Sequence, residues 1–208
     1  MTLPLPSSGL YAITSENYSN PHELNLAVRA AIRGGARMIQ YRAKTAQKRA
    51  GEARLLLKEC HAAQVPLIIN DDVDLALTIA ADGVHLGKAD CSLDDARNRL
   101  GDTAIIGVSC YDSVERAVEA ERRGASYVAF GRFFPSRTKP KAPGAPVQIL
   151  IEAKSRLHIP IVAIGGITAH NGRLLIAAGA NLLAAIDGVF GSGDPERAAR
   201  ELCSVFGS

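Results

Sequence analysis

The chain has 208 residues, of which 47% are hydrophobic and 22% charged, with a formal net charge of +3. That composition suits one folded domain with a substantial apolar core and excludes a disordered or low-complexity chain. The small, evenly spread charge, with no run of five like charges, argues against a nucleic-acid partner, and the apolar runs are too short to span a bilayer.

In chain order, short β-rich apolar runs occupy residues 10–14, 37–42, 66–71, 83–87, 104–109, 127–131, 160–165 and 181–186. Most are continuous hydrophobic stretches, as expected of parallel strands covered on both faces. Amphipathic helical stretches alternate with them, among them residues 22–34, 47–63, 93–100, 113–124 and 169–179. Gly34, Gly124 and Gly179 stand where these helices stop and predict left-handed terminations there. Eight units in 208 residues give about 26 residues each, enough for a strand, a helix and two short loops. The expected fold is therefore a single-domain (β/α)8 TIM barrel over residues 1–208, its core about 9–206. The rival, an open doubly wound sheet, usually carries a Gly-rich turn after its first strand, whereas Ser15, Glu16, Asn17 and Tyr18 stand here.

In such a barrel the active site is built at the C-terminal ends of the strands. The second run ends with Gln40, Arg42 and Lys44 at alternate positions, so an amide and two cations share one mouth and suit an anion such as a diphosphate. The third ends with Asn70 and Asp71, and Asp90 follows the fourth. Either acid could be a helix cap, Asp90 for the helix starting near Ser92. As neighbours at one rim they could instead share Mg2+ bridging to substrate phosphates. Ser109 ends the fifth run without a nearby base and reads as a binding residue, and Cys110 reads as a structural thiol. His85, inside the fourth run, reads as a hydrogen-bonded structural histidine. The long segment after the sixth run brings Ser136, Arg137, Thr138 and Lys139 between Pro and Gly residues, a pattern fit for phosphate. Paired Gly165 and Gly166 end the seventh run, where backbone N–H groups can approach a phosphate. The four scattered cysteines, without a CxxC pair or an apolar leader, point to reduced thiols in a cytoplasmic protein.

Taken together, the set Gln40, Arg42, Lys44, Asn70, Asp71, the stretch 81–90, residues 107–109, Ser136, Thr138, Lys139 and residues 164–167 resembles the thiamine-phosphate synthase family from Leu10 to about Phe190. The resemblance implies condensation of a hydroxymethylpyrimidine diphosphate with a thiazole phosphate, releasing pyrophosphate. By that resemblance, Gln40, Arg42, Lys44 and Asn70 bind the diphosphate substrate and Asp71 and Asp90 hold Mg2+. Ser109 and Lys139 contact the pyrimidine or the departing pyrophosphate. Ser136, Thr138 and Gly166 hold the thiazole phosphate, and Arg137, Gly165, Ile186 and Asp187 join the substrate-binding set. Arg42, Lys44 and Lys139 would neutralise charge on the leaving group. The partners implied are small phosphorylated molecules, with a homo-oligomer left open. Two positions depart from the family pattern. Ser136 replaces a threonine and keeps its hydroxyl, and Ile186-Asp187 stands where Val-Ser is common, so the Asp187 carboxylate would repel a phosphate bound only through backbone N–H groups. A related thiazole tautomerase would need no such acids and cations, and a non-catalytic phosphate sensor would bind without turnover.

Overall fold

The structure, a computed structural model, describes residues 2–43, 49–87, 90–135 and 144–207. Eight strands run parallel in sequence order and close on themselves: β1 (Gly9–Ile13), β2 (Met38–Tyr41), β3 (Leu67–Asn70), β4 (Gly83–Leu86), β5 (Ile105–Tyr111), β6 (Tyr127–Phe130), β7 (Ile161–Ile164) and β8 (Leu182–Ala185), with β8 pairing back onto β1. Around them, among the described residues, lie α1 (Pro21–Arg33), α2 (Arg49–Ala62), α3 (Val73–Ile79), α4 (Leu93–Leu100), α5 (Val114–Arg122), α6 (Gln148–Arg156), α7 (Ala169–Ala177), α8 (Asp187–Phe190) and α9 (Pro195–Cys203). All eight apolar runs are strands, and closure removes every unpaired edge.

Strand side chains alternate between two cores. Leu10, Ala12, Ile39, Tyr41, Val84, Ile106 and Val128 pack outward against the helices. Tyr11, Ile13, Met38, Ile68, Ile105, Tyr127, Val162 and Leu182 fill the barrel interior. Burial on both faces explains the unbroken hydrophobic runs, since each buried aliphatic side chain contributes about 1.5–3 kcal/mol.

The end of the barrel opposite the strand C-termini is closed by the N-terminal segment. Leu5 packs on the interior core, and the buried Asp82 carboxylate accepts the Leu3 N–H at 2.7 Å and the Leu67 N–H at 2.8 Å, with His61 Nε2 at 2.9 Å. This carboxylate ties α2, β3 and the N-terminal strap together at the face that carries stability rather than chemistry.

One expected helix stop is corrected. Gly34 is right-handed, with φ −71°, and the left-handed residue is Gly35, φ 104°. Gly34 serves close packing instead: a Cβ there would lie 2.4 Å from the Glu196 carbonyl of α9. Gly124 and Gly179 do take positive φ, as expected.

Candidate active site at the barrel mouth

The strand C-termini divide the barrel mouth into two chemically distinct halves. On β2, β3, β4 and β5 the topmost inward positions carry Gln40, Asn70, His85 and Ser109. The register is continuous across three of these strands, with Asn70 paired with His85, and His85 with Gly107 two residues below Ser109. On the remaining strands the inward positions are Ala129, Ile164, Ala184 and Ile13, and Ile186 packs against the same apolar set. Polar side chains thus fill one contiguous side and aliphatic ones the other.

The polar side is wired beneath its surface. Gln40, only 2% exposed, donates from Nε2 to the Tyr11 hydroxyl at 2.6 Å. Tyr11 and Tyr127 hydroxyls lie 2.9 Å apart, Tyr127 Oη is 2.9 Å from His85 Nδ1, and His85 Nε2 is 2.9 Å from Ser109 Oγ. The imidazole stacks on the Tyr127 ring, with centroids 5.6 Å apart. His85 is hydrogen-bonded inside the barrel, as expected of a structural histidine, but the expectation that Ser109 has no base nearby is corrected: pairing of β4 with β5 brings the imidazole within 2.9 Å of its Oγ. Sequence reasoning treated both tyrosines as apolar strand residues. Alternation alone places Tyr11 inward beside Gln40 and was the signal available.

Arg42 follows β2 directly. Its N–H donates to Thr14 Oγ1 at 2.9 Å, the Thr14 N–H donates to the Gln40 carbonyl at 2.9 Å, and its guanidinium pairs with Glu16 at 3.4 Å. Beside it the Ser15 hydroxyl is buried and, among the described residues, has no hydrogen-bond partner. Lys44 lies outside the described residues.

The two acids are not helix caps. Asp72 caps α3, accepting the Leu75 N–H at 2.9 Å, and Ser92 caps α4, accepting the Asp95 N–H at 3.2 Å. Asp71 takes the left-handed conformation, φ 63°, with its N–H on the His85 carbonyl at 2.9 Å and its carboxylate accepting from Asn70 Nδ2 at 2.5 Å. The Asp90 carboxylate accepts the Gly87 N–H at 2.5 Å. Asp71 stands one residue beyond the Asn70–His85 register pair and Gly87 two residues beyond it, so both acids sit on the rim between β3 and β4. Among the described residues no group of three or more His, Cys, Asp or Glu side chains could hold a metal. Two carboxylates completed by substrate oxygens are what Mg2+ takes, rather than a cage of protein ligands, so the donor set fits that ion.

On the apolar side the backbone after β6 runs along the end of β7. The Phe133 N–H donates to the Ile164 carbonyl at 3.1 Å and the Phe134 N–H to Gly165 at 3.0 Å. Ala145 N–H returns to the Arg132 carbonyl at 2.8 Å, so this pair brackets the intervening segment. Ser136, Arg137, Thr138 and Lys139 belong to that segment and lie outside the described residues. Gly165 and Gly166 have positive φ, and a Cβ on either would collide with Arg132 or with Pro135 and Phe134. Their absence of side chains lets this crossing backbone approach, a packing reason beside the ligand-binding one. α7 starts in a capping box between Thr168 and Asn171, and Asn171 Nδ2 donates to the Gly166 carbonyl at 2.9 Å, anchoring the pair. Ile186 precedes the short α8, whose first residue is Asp187. Its leading N–H groups stand after β8, the usual phosphate position in this architecture.

The thiol at Cys110 is buried, and burial pushes its pKa up to about 12, consistent with a structural role. All four cysteines are free. No helix among the described residues is long and apolar enough to cross a membrane.

The sequence profile of the family described as thiamine monophosphate synthase matches residues 10–189. The chain is 54% identical to a thiamine-phosphate synthase of Methylococcus capsulatus, covering 99% of this chain and 92% of that protein. It is 51% identical to that of Nitrosococcus oceani, over 92% and 89% of the two chains. Among solved structures it is similar to thiamine phosphate pyrophosphorylase from Pyrococcus furiosus, with a TM-score of 0.86, 33% identity and coverage of 96% and 95%.

Proposed function

This chain belongs to the thiamine monophosphate synthase family, and we propose that the polar half of its barrel mouth binds a pyrimidine diphosphate while the half formed by β6 to β8 receives a thiazole phosphate. The protein is a transferase, a thiamine-phosphate synthase. It joins a 4-aminopyrimidine bearing a diphosphooxymethyl arm to a thiazole phosphate, carboxylated or not, and releases pyrophosphate. The observation that best supports this division is the placement of Gln40, Asn70, His85 and Ser109 on four consecutive strands opposite an aliphatic wall.

The reaction breaks the methylene carbon–oxygen bond. Its electron pair leaves with pyrophosphate, and the thiazole nitrogen lone pair forms the new carbon–nitrogen bond. No nucleophilic side chain or general base is needed, and in this reading Ser109 and His85, 2.9 Å apart, contact the substrate rather than form a covalent bond to it. Arg42, with its backbone fixed by Thr14, presents its guanidinium to the diphosphate, and the anion competes with Glu16 for it. Asp71 and Asp90 would hold Mg2+, whose chemistry when bound is to neutralise charge on the departing phosphates. Lys44 and Lys139 add positive charge to the same leaving group by family resemblance, and Ser136, Arg137, Thr138, Gly165, Gly166, Ile186 and Asp187 take the thiazole phosphate. Binding that phosphate through backbone N–H groups at the start of α8 requires the Asp187 carboxylate to turn away from it. The aliphatic wall of Ile13, Ala129, Ile164, Ala184 and Ile186 withholds water from the benzyl-type cation, so the thiazole nitrogen captures it. Residues 1–208 act as one domain in the cytoplasm, with small phosphorylated molecules and no nucleic acid as partners.

The deciding experiment incubates the protein with both substrates, with and without Mg2+, and measures thiamine phosphate and pyrophosphate. Magnesium-dependent, equimolar formation of both is expected. Conversion of the thiazole phosphate without pyrophosphate release would assign the related tautomerase activity instead.

A further inference from the structure

Five side chains, Gln40, Tyr11, Tyr127, His85 and Ser109, form one unbroken hydrogen-bonded line across the barrel, and its two ends are both groups read above as contacts for the pyrimidine diphosphate. Such a line has a direction. Each hydroxyl has one proton to give, and a neutral imidazole donates from one nitrogen and accepts at the other. Gln40 donates to Tyr11, so Tyr11 donates to Tyr127 and Tyr127 donates to His85 Nδ1. That leaves the proton of the imidazole on Nε2, donating to Ser109 Oγ, and frees the Ser109 proton for the mouth. Reversing any one bond sets two donors or two acceptors against each other within the line unless every bond reverses together. Both phenols are buried, and burial raises their pKa values, so neither breaks the line by ionising.

We propose that Tyr11, Tyr127 and His85 are positioning residues whose shared hydrogen-bond direction makes Gln40 an acceptor and Ser109 a donor toward the ligand, selecting a 4-aminopyrimidine over its 4-oxo counterpart. This rests on the reading of Gln40 and Ser109 as pyrimidine contacts. An aminopyrimidine edge offers an amine donor next to a ring-nitrogen acceptor, the complement of that pair. The 4-oxo ring offers the opposite pattern, a carbonyl acceptor beside a ring N–H, and pairing with it requires either inversion of the whole line or use of the second Gln40 Nε2–H with loss of the Ser109 donor bond. Gly107 secures the geometry, because a Cβ there would lie 2.0 Å from Tyr127 Cζ.

Two measurements test this. In the first, side-chain nitrogen NMR of 15N-histidine-labelled protein, with His85 assigned from the His85→Asn variant, is expected to give a neutral ring protonated on Nε2. Tyr127→Phe is expected to move that signature. A ring protonated on Nδ1 in the unmodified protein overturns the relay. The second compares kcat/KM for the 4-amino and 4-oxo pyrimidine diphosphates. Tyr11→Phe and Tyr127→Phe are each expected to shrink the discrimination about 10-fold, with the double variant no worse than either single one and the KM for thiazole phosphate unchanged. Unaltered discrimination in properly folded variants overturns the proposal. Lack of any turnover in the unmodified protein, together with the expected NMR result, refutes the functional reading and leaves the relay standing.

Discussion

The ring of Tyr127 lies across the backbone of Gly107, so close that a single methyl group at Gly107 would overlap it at 2.0 Å. Gly107→Ala therefore cannot be absorbed by a flexible side-chain tip and must displace a ring that is 0% exposed. Overpacking of this kind costs about 1–3 kcal/mol. The expected result is a lower unfolding midpoint in urea together with a raised KM for the pyrimidine diphosphate. A variant with unchanged stability and kinetics would contradict the close approach.

Asp72 caps α3 while its neighbour Asp71 is proposed to hold Mg2+, and paired substitutions separate the two carboxylates. Asp72→Ala removes the α3 cap and should cost about 1 kcal/mol of stability while leaving turnover near its starting value. Asp71→Asn, which tolerates the same left-handed backbone, should leave the unfolding curve in place and lower magnesium-dependent turnover by about 100-fold. Steady-state rates across a magnesium titration, with thermal melts alongside, check both halves.

Thr14→Val keeps the volume of the side chain and deletes the oxygen that receives the Arg42 N–H. The Arg42 backbone then loses its tie to β1. An increase in KM for the diphosphate of about 5-fold is expected, with the KM for the thiazole phosphate constant, corresponding to about 1 kcal/mol of lost hydrogen bonding. Equal changes in both constants would place Thr14 in general folding instead.

Stability at the opposite end rests on Asp82. Asp82→Ala leaves the Leu3 and Leu67 N–H groups without their acceptor and should destabilise the fold by about 3 kcal/mol, read from denaturant midpoints. KM values measured below the new transition should not move.

Cys110, with a pKa pushed by burial up to about 12, is about one part in ten thousand thiolate at pH 8. Cys60 is raised for the same reason, with the Asp82 charge adding to it. Both should resist iodoacetamide in the native state and react fully in denaturant, as counted by intact mass. Rapid native labelling of either would refute their burial.

The barrel was legible from strand spacing because each strand is buried on both faces, and the expected segment 93–100 matches α4 residue for residue. Most strand ends were read one residue long, since flanking residues such as Pro66 and Asp71 look strand-like without joining the ladder, whereas β5 runs two residues past its expected end and β1 starts one residue early. The helices α3, α6 and α9 were not among the expected segments; α3 has only 7 residues, whereas α9 divides clearly into apolar and polar faces. At the mouth, the polar strand ends were visible one by one, but which aspartate caps α3 depends on backbone dihedral angles that two adjacent identical residues do not encode. Tyr11 and Tyr127 escaped notice because an aromatic in an apolar run advertises its ring and hides its hydroxyl. The alternation that turns both inward had to be combined across strands far apart in sequence.

The division of the mouth has an evolutionary corollary. In the proposed division, four neighbouring strands hold the diphosphate donor and the loops of the other side hold the acceptor, so exchanging those loops alone should recruit a different heteroaromatic nucleophile without disturbing departure of the diphosphate. A barrel built this way can diversify its product by grafting on one side only.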